Sequence, residues 1–139
     1  MQAVHIGYIC EELQMLKIDI KRVQELTEQL KAISYKITAS YGLNAGGGGG
    51  MPSSAIENLI IKRNRLQTEI ANINAKIRAY NEAIATALTP LEREIVYEII
   101  DGNKLSQYAR RKGIYKSTVY KLRDKAIYKI AEYLKNNKK

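Results

Sequence analysis

The sequence predicts an all-α protein, in which a long antiparallel coiled-coil helical hairpin is followed by a compact three-helix unit. Apolar residues recur every seven positions over two long stretches, which is the pattern of helices that pack along a shared seam. A run of five glycines separates the two stretches, and closely spaced helix start and stop signals divide the last third of the chain. Trp and Phe are absent, so the core is expected to consist mainly of Ile and Leu.

The first long helix is predicted from about residue 5 to about residue 40. Two series of residues with seven-residue spacing mark positions a and d of its heptads. One series is Ile9, Leu16, Val23, Leu30 and Ile37, and the other is Ile6, Leu13, Ile20, Thr27 and Ser34.

The glycine-rich segment 41–53 is predicted to be a flexible linker, because each glycine costs a helix up to about 1 kcal/mol relative to alanine. A phosphate-binding loop would continue with Lys-Ser or Lys-Thr after the glycines, where this chain has Met51-Pro52. The linker is therefore expected to connect two helices and to bind no nucleotide.

A second long helix is predicted to begin near Ser54 and to end near Leu88. Its inward residues are expected to be Ile56, Leu59, Leu66, Ile70, Ile73, Ile77, Tyr80 and Ile84. Arg63 interrupts this seam, and we expect it to meet the polar stretch from Thr27 to Ser34 in a layer that sets the register of the hairpin. Residues 1–88 form the first predicted domain.

The second predicted domain, residues 89–139, begins at a strong helix start. Threonine at 89, proline at 90 and glutamate at 92 are the residues favoured at the N-cap, N1 and N3 positions. A short helix is predicted from Pro90 to about Ile100, ending at the segment 101–103, where glycine can adopt the left-handed conformation. A second short helix is predicted over about 105–111, and a last helix over about 116–135.

The segment from Leu105 to Leu122 has the residue spacing of a helix-turn-helix. Ala109 is small where the two helices would cross, and Gly113, four residues later, tolerates the positive φ that the turn needs. Ile114, Val119 and Leu122 fall where apolar residues seat the second helix on the first. Because this motif mostly serves to place its second helix in the major groove, double-stranded DNA is the expected partner.

The basic charge of the chain coincides with this motif. Residues 89–139 carry 13 Lys and Arg against 6 Asp and Glu, whereas residues 1–88 carry 10 against 8. A run of cations is by itself more often a solvated face. Its coincidence with the motif favours a surface that lies against phosphates.

A helical projection of the last helix directs Val119, Leu122, Ala126, Ile130 and Tyr133 toward the core and leaves a polar outer face. The residues expected to read DNA bases are Lys116, Ser117, Tyr120, Lys121 and Asp124. Lys121 is expected to donate to guanine O6 or N7. For Asp124, an ion pair with Lys121 or Lys125 is favoured over contact with cytosine.

Arg123 projects closer to the core side, so we expect it to extend along the surface and not to read bases. The cations expected to contact phosphates lie around the first helix of the motif and on the flank of the second. They are Lys104, Arg110, Arg111, Lys112 and Lys125.

Residues 88–130 resemble region 4 of bacterial sigma factors. The matching positions are Thr89-Pro90, Glu92-Arg93-Glu94, Gly102, Ala109, Gly113, Val119 and Ala126. Tyr115-Lys116-Ser117 stands where the family usually has Ser-Arg-Glu, and Lys104 replaces the usual capping Thr or Ser, so promoter specificity is not carried over. With a helical hairpin before this unit, the chain also resembles phage-encoded regulators of the ArpU and RinA type, which implies regulation of phage late genes.

Several other classes of protein are not expected. Cys10 is the only cysteine, which precludes an intramolecular disulfide and suits a reducing compartment. The first ten residues lack the features of a signal peptide, and apolar runs are too short for a membrane span, so a soluble cytoplasmic protein is expected. His5 and Cys10 have no further ligands nearby for a metal, and no catalytic constellation is present, so neither a cofactor nor enzymatic activity is expected.

These features together predict a sequence-specific DNA-binding transcriptional regulator. The coiled coil is expected to support homo-oligomerisation or contact with RNA polymerase. Two alternatives stay open at this point: a phage DNA-packaging component similar to small terminase subunits, and a coiled-coil interaction scaffold that binds RNA polymerase. An oligomeric ring would favour the first alternative over a dimeric regulator.

Overall fold

A computed structural model describes residues 3–45 and 53–137, and within these ranges the chain forms five α-helices and no β-strand. The helices are α1 (Ala3–Ala45), α2 (Ser53–Ala87), α3 (Pro90–Ile100), α4 (Leu105–Lys112) and α5 (Lys116–Asn136). The all-α prediction is confirmed. Helix α1 continues five residues into the segment predicted as linker, and the glycine run itself lies outside the described residues.

The chain divides into two compact units, one formed by the segments up to Asp19 and from Lys76 onward, the other by Ile20–Ala75. In the Ile20–Ala75 unit, segments of α1 and α2 share an apolar cluster built on Leu26, Ile33, Ile37 and Leu66. The Arg22 guanidinium pairs with the Glu69 carboxylate at 3.0 Å across the same two segments. The two side chains are 50% and 39% exposed, so solvent weakens this pair, and apolar burial contributes more to the stability of this unit.

The second predicted series of α1 is wrong at Ile20, whereas Leu13 is buried as predicted and Thr27 and Ser34 are half-buried. Ile20 is 45% exposed, whereas Leu26 and Ile33, which lie one residue before the predicted Thr27 and Ser34, are buried. Leu26 and Ile33 are apolar, so their burial is more favourable than that of the neighbouring polar Thr27 and Ser34.

The inward face of α2 agrees with its prediction. Ile56, Leu66, Tyr80 and Ile84 are buried, and the other predicted apolar positions are half-buried. Arg63 is also half-buried, and its Nε is enclosed without a hydrogen-bond partner among the described residues. The polar layer expected around Arg63 stays a prediction.

The other unit is built around α3, α4 and α5, but its apolar core is not confined to them. Val119, Ile127 and Ile130 of α5 pack in one cluster with residues of all five helices. The long helices contribute Ile9, Leu13, Leu16, Tyr80, Ala83 and Ile84 to this cluster, with Leu88 following α2. The apolar core of the three short helices thus extends well outside residues 89–139.

Local signals in the sequence set the ends of the short helices, as predicted. Thr89 Oγ1 accepts a hydrogen bond from the Glu92 backbone N–H, and the Glu92 carboxylate accepts one from the Thr89 N–H at 2.8 Å. This reciprocal arrangement is a capping box, and it starts α3. Gly102 and Gly113 adopt φ of +78° and +69° where α3 and α4 end, a conformation that favours glycine.

Two glycine-to-alanine substitutions are expected to have opposite effects on stability. Gly113→Ala forces a Cβ into the left-handed region and should destabilise the fold by about 1 kcal/mol, although the added methyl would meet no neighbouring atom. Gly7→Ala, inside α1 and equally unobstructed, should stabilise by up to about 1 kcal/mol. Urea denaturation of both variants checks this, and a loss of stability in both would contradict it.

Candidate nucleic-acid interface

The connection between α4 and α5 orients the two helices through a small set of contacts. Ala109 is buried on α4, and its carbonyl accepts hydrogen bonds from the N–H groups of Gly113 and Ile114, the latter at 2.9 Å. On α5, Val119 is fully buried. These positions are the ones at which the sequence predicts the crossing, the turn and the apolar plug of a helix-turn-helix.

The outer face of α5 begins with polar side chains that extend into solvent. Lys116, Ser117 and Lys121 are exposed, while Tyr120 and Asp124 are half-buried. The structure describes no hydrogen bond or ion pair from the side chains of Lys116, Ser117 or Lys121 within residues 3–45 and 53–137. These three groups are therefore positioned to meet an external ligand.

Tyr120 lies between two cations on the surface of α5. The Lys116 ammonium is 5.8 Å from the centre of the Tyr120 ring, and the Arg123 guanidinium is 5.1 Å from it. Both distances are within the range of cation–π attraction, which is stronger for a partly desolvated pair. Tyr120 thus contacts both cations and is itself half-buried, and its predicted role in reading bases stays a prediction.

Arg123 also forms an ion pair with the neighbouring Asp124. The Arg123 guanidinium contacts the Asp124 carboxylate at 2.8 Å, so the expected pairing of Asp124 with Lys121 or Lys125 is wrong. The planar guanidinium donates two hydrogen bonds in a fixed geometry, which the single ammonium of a lysine does not provide. Lys121 and Lys125 consequently remain outside any ion pair within the described part of the chain.

The five cations predicted to contact phosphates fall into two groups. Arg111 pairs with Glu98 at 2.8 Å and Lys112 pairs with Glu94 at 3.1 Å, both joining α4 to α3. Lys104, Arg110 and Lys125 are exposed and have no ion-pair partner among residues 3–45 and 53–137. The unpaired group has more of its charge available to a polyanion.

The carboxylates of α3 have roles that the sequence did not reveal. Glu94 binds Lys112 of α4, and Glu98 binds Arg111 of the same helix. The hydrogen bonds from Lys112 and then from the Tyr108 hydroxyl hold the pKa of Glu94 below its ordinary value. Burial, and then the hydrogen bond to Glu94, raises the pKa of Tyr108 to about 12, so its hydroxyl stays a donor.

Glu92 is the most deeply buried charged residue among the described ones, at 1% exposure. Its carboxylate accepts a hydrogen bond from the Lys129 ammonium on α5 at 2.8 Å, besides the one from the Thr89 N–H. Burial alone would raise the pKa of Glu92, but these hydrogen bonds outweigh burial and lower it. The pair links the start of α3 to α5. The spacing of residues in the sequence could not predict this contact, because the two side chains meet only when the helices pack.

Cys10 and His5 are residues of the first helix that could in principle bind a metal. Cys10 is half-buried, and burial raises the pKa of its thiol, which disfavours the thiolate that a metal binds. The side chain of His5 lies outside the described residues. Among residues 3–45 and 53–137, no group of three or more His, Cys, Asp or Glu side chains could hold a metal ion.

None of the helices over the described residues combines the length and apolar character needed to cross a bilayer. Comparison with known proteins finds no matching family model, no matching curated protein and no matching solved structure.

Proposed function

We propose that this chain is a sequence-specific DNA-binding transcriptional regulator that inserts α5 into the major groove of double-stranded DNA. The observation that carries the proposal is the outer face of α5, where the side chains of Lys116, Ser117 and Lys121 are exposed and make no hydrogen bond or ion pair within the described residues. The opposite face of the same helix is fully buried at Val119 and Ala126. A helix held so firmly on one side can present a defined set of donors on the other.

In this proposal α4 and α5 act as a helix-turn-helix of the sigma region 4 type. Lys121 and Ser117 read base edges, with Lys116, Tyr120 and Asp124 at the margin of the contact. Lys104, Arg110 and Lys125 bind phosphates, while Arg111 and Lys112 support α4 through Glu98 and Glu94. We assign the roles in this way because a cation already paired with a carboxylate is less available to a phosphate than an unpaired one.

The proposal extends to the two long helices, which we assign to an antiparallel coiled-coil hairpin that supports self-association or contact with RNA polymerase. The shared apolar cluster and the Arg22–Glu69 pair of the Ile20–Ala75 unit support this assignment. A phage origin and action on phage late genes belong to the same proposal. The solution mass distinguishes a dimeric regulator from the ring expected of a DNA-packaging component.

The first test is duplex binding as a function of salt. An operator is first selected from a randomised duplex library, and binding is then measured by fluorescence anisotropy over a series of KCl concentrations. The affinity should fall linearly on a log–log scale, by about 0.9 per phosphate neutralised. An affinity that does not change with salt, or that is equal for all duplexes, would contradict the proposal.

If Lys121 reads bases and Arg110 binds phosphates, substitution of each by alanine should cause a different defect in DNA binding. Lys121→Ala should relax the preference at one base pair by about 1–3 kcal/mol. Arg110→Ala should weaken binding to every duplex equally and reduce the salt slope by about 0.9. Lys36→Ala, which removes an exposed cation of the Ile20–Ala75 unit, is the matched control and should change neither quantity. Identical specificity profiles for the first two variants would disprove the division.

A further inference from the structure

Tyr115 directly precedes α5, and its side chain does not stabilise the start of this helix. Its carbonyl accepts the hydrogen bond of the Val119 N–H at 3.1 Å, and its backbone is extended, so it is the N-cap residue of the helix. Its side chain makes no capping hydrogen bond. At 84% exposure, its ring is also the most exposed large apolar side chain among the described residues.

This choice of residue costs stability. Ser, Thr, Asp and Asn are preferred at N-caps because their short side chains accept a hydrogen bond from the second or third N–H of the helix. The chain uses such a residue at Thr89, where the capping box is complete. A tyrosine hydroxyl lies too far from the backbone to do this, and an exposed ring gains little from burial. Within the described residues, therefore, the fold itself gives no reason for a tyrosine at 115.

The surroundings of Tyr115 indicate which ligand it serves. It directly precedes Lys116 and Ser117, which are exposed at the start of the outer face of α5. A duplex that receives α5 in its groove has its sugar–phosphate backbone beside the end of that helix. A tyrosine combines a flat apolar ring, which can pack on a deoxyribose, with an uncharged hydroxyl that can donate to a phosphate oxygen.

We propose that Tyr115 is a DNA-positioning residue, which packs its ring on the sugar–phosphate backbone and donates its hydroxyl to a phosphate. The inference rests on the proposed function and adds a residue outside its set of base and phosphate contacts. It also explains why the helix lacks a cap, since a capping residue at 115 would remove the contact. A capping residue at position 115 would therefore increase stability but reduce DNA affinity, whereas tyrosine does the reverse.

Tyr115→Ser in the full chain tests this inference because the two effects have opposite signs. Serine supplies the missing N-cap and should raise the Tm by about 3 °C. The same variant should lose about tenfold in affinity for every duplex, selected or random, as expected when a hydrogen bond to a charged group is removed. Since tyrosine is neutral and releases no counterion, the salt slope should stay unchanged.

Two further variants complete the experiment. Tyr115→Phe keeps the ring and should recover part of the affinity lost in the serine variant, without the gain in Tm. Tyr35→Ser removes another exposed tyrosine, in the Ile20–Ala75 unit, and should leave duplex binding unchanged. Wild-type affinity in Tyr115→Ser, together with a raised Tm, would overturn the inference while the proposed function stands. Absence of duplex binding by the wild-type chain would overturn both.

Discussion

Leu13→Ala is expected to destabilise α3, α4 and α5 by about 3 kcal/mol, although Leu13 lies near the start of α1. Its side chain is fully buried and belongs to the same apolar cluster as Val119, Ile127 and Ile130 of α5. Removing it leaves a cavity in that cluster, and the surrounding helices can close the cavity only partly. The fold around the proposed DNA-binding helix thus depends on residues at the opposite end of the chain.

Urea denaturation followed by circular dichroism measures this loss, and amide hydrogen exchange shows where it acts. The protection of amides in α5 should fall together with that of α3. Ile18→Ala is the matched control, because Ile18 lies on the same helix but is 57% exposed, and its effect should stay within about 0.5 kcal/mol. Unchanged protection of α5 in Leu13→Ala would show that the short helices fold independently of α1.

Glu92→Gln is expected to cost about 2–3 kcal/mol near neutral pH. The substitution keeps the shape of the side chain but removes the charge that binds Lys129, 2.8 Å away. This is less than the about 3–5 kcal/mol that breaking a fully buried pair can cost, because the side chain of Lys129 remains 29% exposed and can be hydrated. The glutamine oxygen can still accept the hydrogen bond from the Thr89 N–H, so α3 should keep its start.

The effect of this substitution should depend on pH in a defined direction. Because the pKa of Glu92 is lowered in the folded state, its charge contributes stability above the ordinary glutamate pKa of about 4.3. That contribution is lost as the pH falls through the lowered pKa of the folded state. The difference in unfolding free energy between wild type and Glu92→Gln should therefore be constant from pH 6 to 7 and shrink as the pH falls below about 4.

The matched control for Glu92 is Glu82→Gln, which changes an exposed glutamate with no ion-pair partner among the described residues. Its effect on unfolding should be small at every pH. A difference between wild type and Glu92→Gln that persists at low pH would show that the lost stability comes from packing and not from the charge.

The helices of this protein could be predicted from the sequence with few errors, because their ends depend on neighbouring residues. Thr89, Pro90 and Glu92 form the start of α3 through contacts over three residues. Gly102 and Gly113 end α3 and α4 because each glycine adopts a left-handed conformation by itself. The outward positions of Lys116, Ser117 and Lys121 follow in the same way from the buried positions of one helix.

Two features of the structure depend on contacts between residues that are distant in sequence, so the spacing of apolar residues could not predict them. In α1, Leu26 is buried in place of the predicted Thr27, because it packs against apolar residues of α2 such as Leu66. The pairing of Glu92 with Lys129 depends on the packing of α5 against α3, for which neither residue carries a local signal.

The all-α fold, the bounds of the short helices and the candidate face of α5 follow from the amino-acid sequence alone, since each arises from the intrinsic geometry of one helix. The pairing of Arg111 and Lys112, and the place of Leu13 in the core beside α5, depend on how the helices pack. Burial and ion pairing arise between side chains that packing brings together from distant parts of the chain.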